Sequence, residues 1–440
     1  MKRKWMNKIL FCALAVSLVL ATVACSGTEE TAAEDNKTAV EHESAAGEKT
    51  VVNFWHSFSS TNGELLDKSI AAFNASQDEV EVVGTYQGTY DEVVPKAQAA
   101  VSAGEIPDIM MTVADYVGIF SEAGIFADLK PYMAESGINE DDFIEGFVWD
   151  YYIDDKMIAI PFGRSTPVLF VNKDMMKEVG LETPTTWEEM DTVCNALVVK
   201  DGDEVSRYGV AMPYDTWYFF MGVDQAGGSL LNEEGTGLGC IEDGTALKAF
   251  TYYQDMANSN AMYYGPTTDS NTVCRQLFLD GKAAMFIASS GNLAAVHGNA
   301  EFDYELAWLP EGEKRVIPTG GCSLAIMEGS QHKDAAWKFF EWLLTDPEGI
   351  TAIVLGTGYL PITYSMAESA PIQEMWKQNP NSRVAFEQLE YASDKGHRSP
   401  EIGAIITELY TTIQAVMYDN EDVKTQLDML AKNVEIILAD

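Results

Sequence analysis

The sequence predicts an α/β fold of two units between which the chain crosses more than once. Three observations carry that expectation. Short apolar runs rich in branched residues alternate with stretches of helical spacing, the pattern of strands and helices built on a parallel sheet. Two such runs, Ile158–Phe162 and Val168–Val171, meet across a break where Pro161, Gly163 and Pro167 keep them from fusing into one strand. The breaks at Leu306-Ala307-Trp308-Leu309-Pro310 and Thr357-Gly358-Tyr359-Leu360-Pro361 repeat that arrangement, and three crossings between two α/β units make a cleft with a hinge.

Composition agrees. At 440 residues, 47% hydrophobic and 22% charged, the chain has enough apolar length for two cores. A formal net charge of −40 argues against nucleic acid and anionic membrane surfaces as partners, since both need a basic footprint. An anionic ligand would have to be drawn by local backbone N–H groups or by an arginine.

Residues 1–25 read as a targeting segment, with Lys2, Arg3, Lys4 and Lys8 ahead of a short apolar run from Ile9 to Val19. Thr22-Val23-Ala24-Cys25 resembles the lipobox of bacterial lipoproteins, with Thr22 where leucine is usual, so lipidation of Cys25 and anchoring at the cell surface are expected. Residues 26–50 are rich in Glu, Ala, Thr and Ser and cannot bury enough surface to fold, which makes them a tether.

The folded part begins with a strand at Val51–Trp55, and His56-Ser57-Phe58 follows as a loop at its carboxyl end, where open α/β sheets bind ligands. Leu65, Leu66, Ile70 and Phe73 recur at helical spacing, and Glu79–Val83 is the second strand. Asp91 is the expected cap of the next helix, with Pro95 in its first turn and Gly104 as its stop; Ile106–Met111 is the third strand. In the central break, Gly163-Arg164-Ser165-Thr166 should run extended with its polar groups free for a ligand, because the residue before a proline is pushed out of the helical region. Asn172 or Asp174 then caps a short helix, Met175–Val179, which Gly180 ends.

Further on, Thr185-Thr186-Trp187-Glu188 carries capping-box spacing. The aromatic cluster Tyr214, Trp217, Tyr218, Phe219 and Phe220 reads as core or as cleft wall. Helices follow at Lys248–Met256 and Val273–Phe278. The strand Ala283–Ala288 ends in Ser289-Ser290-Gly291-Asn292, a turn that suits an anion, a sugar hydroxyl or a plain helix cap. Thr319–Ser323 leads into a strand at Leu324–Met327, Asp334–Leu344 is an amphipathic helix, and the tail from Ile402 is helical with a gap near Asp419–Asp422.

No catalytic pattern emerges, and no cofactor or metal is expected. His42, His56, His297, His332 and His397 form no metal-ligand pair at i,i+4, and Ser289-Ser290-Gly291 lacks the glycine that a nucleophile elbow needs two residues before the serine. Gly235-Thr236-Gly237-Leu238-Gly239 has neither dinucleotide nor P-loop spacing. Cys194, Cys240, Cys274 and Cys322 sit in apolar surroundings at no motif spacing and read as core thiols. A glycosidase would need two carboxylates facing each other across the cleft, and no motif announces them.

Phe54-Trp55-His56-Ser57, Gly88-Thr89-Tyr90, Ser165-Thr166-Pro167-Val168-Leu169, Asn172-Lys173-Asp174, Ala288-Ser289-Ser290-Gly291, Gly320-Gly321 and Thr357-Gly358-Tyr359-Leu360-Pro361 occur in an order that resembles the solute-binding proteins of ABC importers. The likeness runs from about Val51 to the end and is marked for the members that bind glycerol-3-phosphate. In those members the residues matching Tyr90, Ser165, Ser289, Gly321 and Tyr359 hold the ligand, and two aromatics match Tyr214 and Trp217. The glutamate of those members falls at Ala114, beside Asp115, and their C-terminal arginine falls near Ile406, so Arg164 or Arg398 is the expected substitute on a phosphate. The resemblance implies a two-lobed, maltose-binding-protein-like periplasmic-binding-protein type II fold, with lobe 1 at 51–163 plus 310–345 and lobe 2 at 167–308 plus 350–440. It also implies a monomer outside the cytoplasm that passes glycerol-3-phosphate or a glycerophosphodiester to ABC permease subunits. A sugar or oligosaccharide is the alternative solute, favoured by the aromatic residues and by carboxylates such as Asp115 and Asp215.

Overall fold

The computed structural model describes residues 49–121, 124–393 and 399–439; of Asp91, Asp115, Gly118 and Ser121 it describes the backbone only. Cys25 and Arg398 lie outside the described residues. In chain order the strands are β1 (Thr50–His56), β2 (Val80–Tyr86), β3 (Ile109–Thr112), β4 (Tyr152–Ile153), β5 (Lys156–Met157), β6 (Ile160–Ser165) and β7 (Pro167–Asn172). They continue with β8 (Val199–Asp201), β9 (Glu204–Met212), β10 (Met262–Tyr264), β11 (Ala283–Ser289), β12 (Tyr304–Ala307) and β13 (Gly320–Ile326). One sheet has the order β2-β1-β3-β13-β6; the other has the order β10-β9-β11-β7-β12, with β8 on β9. A hairpin of β4 and β5 stands apart from both.

The first sheet grows from alternation in β1, whose Val52, Phe54 and His56 point inward. The helix Ser60–Ser76 lays Leu66, Ile70 and Phe73 into the same core and returns the chain to β2, parallel to β1. The next helix, Tyr90–Ala103, is capped by Thr89 in a full capping box with Glu92, two residues before the expected Asp91, so Pro95 lies inside the helix and not in its first turn. Gly104 stops it in the left-handed conformation, as expected. The third strand is shorter than its apolar run because Asp108 is diverted. Its carboxylate accepts from Asn53 N at 2.8 Å and from Ser330 Oγ at 2.6 Å.

Both sheets are mixed. β1, β2 and β3 are parallel, as are β9, β10 and β11, where helices link the strands; β13 enters the first sheet antiparallel to β3 and β6, and β7 is antiparallel to β11 and β12. The antiparallel members are those that arrive from, or leave for, the other sheet. A strand that continues straight from one sheet into the next takes its direction from the crossing and not from a crossover helix.

Only Thr166 separates β6 from β7, and it is wholly buried. Its carbonyl accepts from Ser290 N at 2.9 Å and its hydroxyl donates to Ala385 O at 3.2 Å. The second crossing runs from the end of β12 to the start of β13. The third follows the helix Ile350–Gly356, and there Leu360 N donates to Arg164 O at 2.8 Å. Asn172 caps the helix Lys173–Val179, which Gly180 ends, while Thr186 caps Trp187–Leu197 with Glu189 reaching back to Thr185.

The helix Ile350–Gly356, expected with the second sheet, packs on Ser60–Ser76, Lys333–Thr345 and β6, because Ile350, Ile353 and Val354 are buried in the core of the first. The helix Ile402–Met417 touches Ala114–Ser121 on one side and Thr216–Gln225 and Thr245–Asn258 on the other, and Val423–Ile437 packs along it. Cys194, Cys240, Cys274 and Cys322 are free and buried. Among the described residues no helix is long and apolar enough to cross a membrane.

Candidate solute site

Tyr359 is delivered by the third crossing, where Thr357 Oγ1 accepts from Tyr359 N at 3.0 Å. Its ring stacks on Phe58 with centroids 5.6 Å apart and planes within 8°, and Phe58 stacks in turn on Phe162 at 5.6 Å. The ring edges are held by two glycines. A Cβ at Gly163 of β6 would lie 3.1 Å from Cε2, and one at Gly291 would lie 3.3 Å from Cε1. A single aromatic ring therefore spans from the first sheet to the turn that ends β11 in the second.

The Tyr359 hydroxyl accepts from Asn62 Nδ2 at 3.4 Å and hydrogen-bonds Tyr90, which also hydrogen-bonds Cys322. Tyr90 begins its helix half-buried against the core of the first sheet. Burial pushes the Tyr90 and Tyr359 hydroxyls up and the Cys322 thiol to about 11, so all three are protonated and neutral at pH 7.

Gly321 stands beside this group with φ of +90°, and a Cβ there would lie 1.9 Å from Gly163 O, so only glycine fits. The β13–β6 register shifts at this point, with Gly320 opposite Ser165 and Gly321 opposite Arg164. A Cβ at Gly320 would lie 2.6 Å from Trp217 Cζ2, and Trp217 Nε1 donates to Thr319 O at 3.3 Å. Ser289 pairs with Pro167, and its hydroxyl accepts from Gly291 N at 3.2 Å. Tyr90, Ser165, Trp217, Ser289, Gly321 and Tyr359 are thus linked through shared neighbours where the crossings meet.

Other expected residues go elsewhere. Tyr214 joins a tyrosine cluster, 5.1 Å from Tyr410 and 5.9 Å from Tyr418, and its hydroxyl accepts from Gln414 Nε2 at 2.8 Å. Asp215 is spent as a helix cap, accepting from Trp217 N at 2.9 Å. Asp115 lies on the helix Ala114–Ser121, and its side chain is outside the described set. Arg164 alternates with Gly163 and Ser165 along β6 and so projects from the opposite face of the strand. Its side chain donates to Thr319 Oγ1 at 2.9 Å and Tyr151 Oη at 3.3 Å and lies 5.1 Å over the Phe147 ring, with the residue 1% exposed.

Phe58, Asn62 and Cys322 join the group around Tyr359 without having been singled out as candidates. Phe58 read as a loop residue and Cys322 as a core thiol, and neither carries a motif. The one available signal was position, since both lie beside segments that the resemblance matches.

The residue types of a hydrolase triad do meet, at Asp108, Ser330 and His332, but in an order that cannot activate a nucleophile. Ser330 donates to the Asp108 carboxylate, and His332 Nδ1 lies 3.3 Å from the same oxygen. That cluster braces β1 through Asn53. Around Tyr359 the chemistry is neutral donors and acceptors beside aromatic faces, suited to hydroxylated small molecules. Among the described residues no three His, Cys, Asp or Glu side chains are placed to hold a metal.

Residues 68–382 match the family described as bacterial extracellular solute-binding protein. The chain is 28% identical over 362 residues to the sn-glycerol-3-phosphate-binding periplasmic protein UgpB of Pectobacterium atrosepticum, covering 77% of this chain and 79% of that protein. In structure it is similar to UgpB from Mycobacterium tuberculosis in complex with glycerophosphocholine, with a TM-score of 0.77 and 23% identity over 89% of this chain and 99% of that one. It is also similar to the GacH receptor of Streptomyces glaucescens, solved unliganded and with acarbose, with a TM-score of 0.78 and 20% identity over 89% and 99% of the two chains.

Proposed function

The chain belongs to the bacterial extracellular solute-binding protein family, the solute-capturing components of ABC importers, and from that premise we propose that its solute is sn-glycerol-3-phosphate or a glycerophosphodiester. One observation carries the reading. The Tyr359 hydroxyl bonds Tyr90 and its ring lies against Gly163 and Gly291, and the other positions at which the resemblance puts ligand contacts neighbour those glycines: Ser165 is two residues along β6 from Gly163, Gly321 abuts Gly163 O, and the Ser289 hydroxyl accepts from Gly291 N.

In this reading the solute lies between the lobes beside Tyr359. Trp217 offers it an apolar face, Phe58 backs the Tyr359 ring, and the hydroxyls of Tyr90, Ser165, Ser289 and Tyr359 reach its oxygens. Lobe 1 is built on the first sheet and takes the helix Ile350–Gly356 with it; lobe 2 is built on the second sheet. The three crossings allow the lobes to close on the solute. The chain binds and releases without catalysis, as a monomer, and passes its cargo to permease subunits. Lipid on Cys25 would anchor it to the membrane at the cell surface, on the extracytoplasmic side, through the tether 26–50.

A neutral sugar is the second reading, favoured by one observation: Arg164 projects from the strand face opposite Ser165. Isothermal titration of the purified protein with sn-glycerol-3-phosphate, glycerophosphocholine and maltotriose separates the two. Heat from either glycerophosphate and none from maltotriose supports the proposal. Binding of maltotriose alone overturns it.

A further inference from the structure

In a chain of net charge −40, an arginine without a carboxylate partner is the exception. Three of the described arginines follow the rule: Arg207 pairs with Glu178 at 2.7 Å, Arg315 with Glu311 at 2.8 Å and Arg383 with Glu387 at 2.9 Å. Arg164 is held between hydroxyls and aromatic rings. Arg275 has no ion pair among the described residues and is held by something else.

It projects from the middle of the helix Ser270–Leu279, half-buried, and donates through an NH group to Asn292 Oδ1 at 3.0 Å. Asn271 Nδ2 donates to the same oxygen at 3.0 Å. Asn292 is buried, and its amide nitrogen donates to Asn271 Oδ1 at 3.1 Å and to Ser289 O at 3.1 Å. A guanidinium is thereby connected through one amide to the backbone of Ser289, in the turn whose Gly291 abuts Tyr359. Burial lowers the pKa of Arg275 from its ordinary value, and a guanidinium stays protonated in proteins.

We infer that Arg275 is the counter-charge and positioning residue of the solute site: through Asn292 it fixes the Ser289–Asn292 turn, and its unpaired cation draws a phosphate ester against the field of an acidic protein. The inference rests on the glycerophosphate reading above. A carboxylate beside Arg275 would cancel that field, which gives its absence a physical purpose. Arg275 itself touches no solute; its reach is electrostatic and through the turn.

The test is titration calorimetry of sn-glycerol-3-phosphate against the full chain and three variants at several salt concentrations. Arg275→Gln should weaken binding about tenfold and flatten the dependence of affinity on salt, and Arg275→Lys should restore most of both. Asn271→Asp sets a carboxylate beside the guanidinium at an exposed position, keeps the acceptor for the Asn292 amide nitrogen while giving up one of the two donors to Asn292 Oδ1, and should weaken binding in the same way even if Arg275→Gln folds poorly. Wild-type affinity and salt slope in Asn271→Asp and in folded Arg275→Gln would overturn the inference while leaving the solute reading intact. If the unaltered protein binds no glycerophosphate, the reading and the inference fall together.

Discussion

The first and second crossings join the same two sheets by opposite means. The first is Thr166 alone, buried and bonded to Ser290 and Ala385, with a strand of a different sheet on each side of it. The second, from the end of β12 to β13, is a strap held down by its surroundings. Glu311 exchanges backbone bonds with Thr185 and Trp187, Gln225 Nε2 donates to Pro310 O at 3.0 Å, and Arg315 lies 5.6 Å from the Trp308 ring and 5.7 Å from Tyr391. A crossing of one residue has no slack, so rotation must be absorbed in the ends of β6 and β7; a strap can flex along its length as long as its side-chain fastenings hold. Arg164, on the strand that enters the first crossing, ties all three together, because its side chain reaches Thr319 at the end of the strap while its carbonyl accepts from Leu360 of the third crossing.

The comparison breaks most severely where the strap enters β13. Gly321→Ala places a methyl group on Gly163 O in a backbone conformation that disfavours side chains, and should cost on the order of 3 kcal/mol of stability together with solute affinity. Urea unfolding and titration calorimetry measure the two losses. A variant that melts and binds like the parent would show that strap and crossing are not in close contact.

Arg164→Met is the next largest change, because it fills the same volume while unhooking the strap. Its expected cost is about 1–2 kcal/mol of folding stability, since Tyr151 loses a hydrogen-bonding partner and Thr319 keeps its bond to Gly146 O. Solute affinity should change much less, because the side chain projects away from Ser165. A binding loss on the order of 2–4 kcal/mol without matching destabilisation would instead put the guanidinium on the solute.

The smallest effect belongs to the strap's outer fastening. Arg315→Ala should cost about 1 kcal/mol, because the partly exposed pair with Glu311 is screened and the two aromatic contacts carry most of the loss. Affinity should hold. A larger loss in affinity than in stability would mean that the strap sets the geometry of the site and does more than connect the sheets.

Much of the fold was legible in the sequence because the signals are local. The cap at Asn172, the stops at Gly104 and Gly180, the strand runs on either side of Thr166 and the gap before Val423 depend on a few neighbouring residues, and the chain obeys them. Of the two misplaced details of the first sheet one is local and one is tertiary, since the partners of Asp108 lie 55 and 222 residues away. Thr89 outcompeted Asp91 because it could complete a capping box with Glu92, and Asp108 left the strand to brace Asn53 and Ser330.

The sequence by itself determined where strands and helices lie, that the chain crosses between two units, and which glycines and hydroxyls sit at the crossings. Tertiary structure decided which way those residues face. Arg164 is turned from Ser165 by the alternation of a strand whose register β13 sets from more than a hundred and fifty residues away. Cys322 joins Tyr90 and Tyr359 because β13 brings it to Tyr90, and Tyr214 is in a tyrosine cluster because the helix Ile402–Met417 covers it. The helix Ile350–Gly356 went to the first sheet because β6 and Ser60–Ser76 offered its apolar face a partner. Local composition specifies an element's type and its ends; its partner, and hence the direction of each side chain, is a choice among distant surfaces that only the packed chain makes.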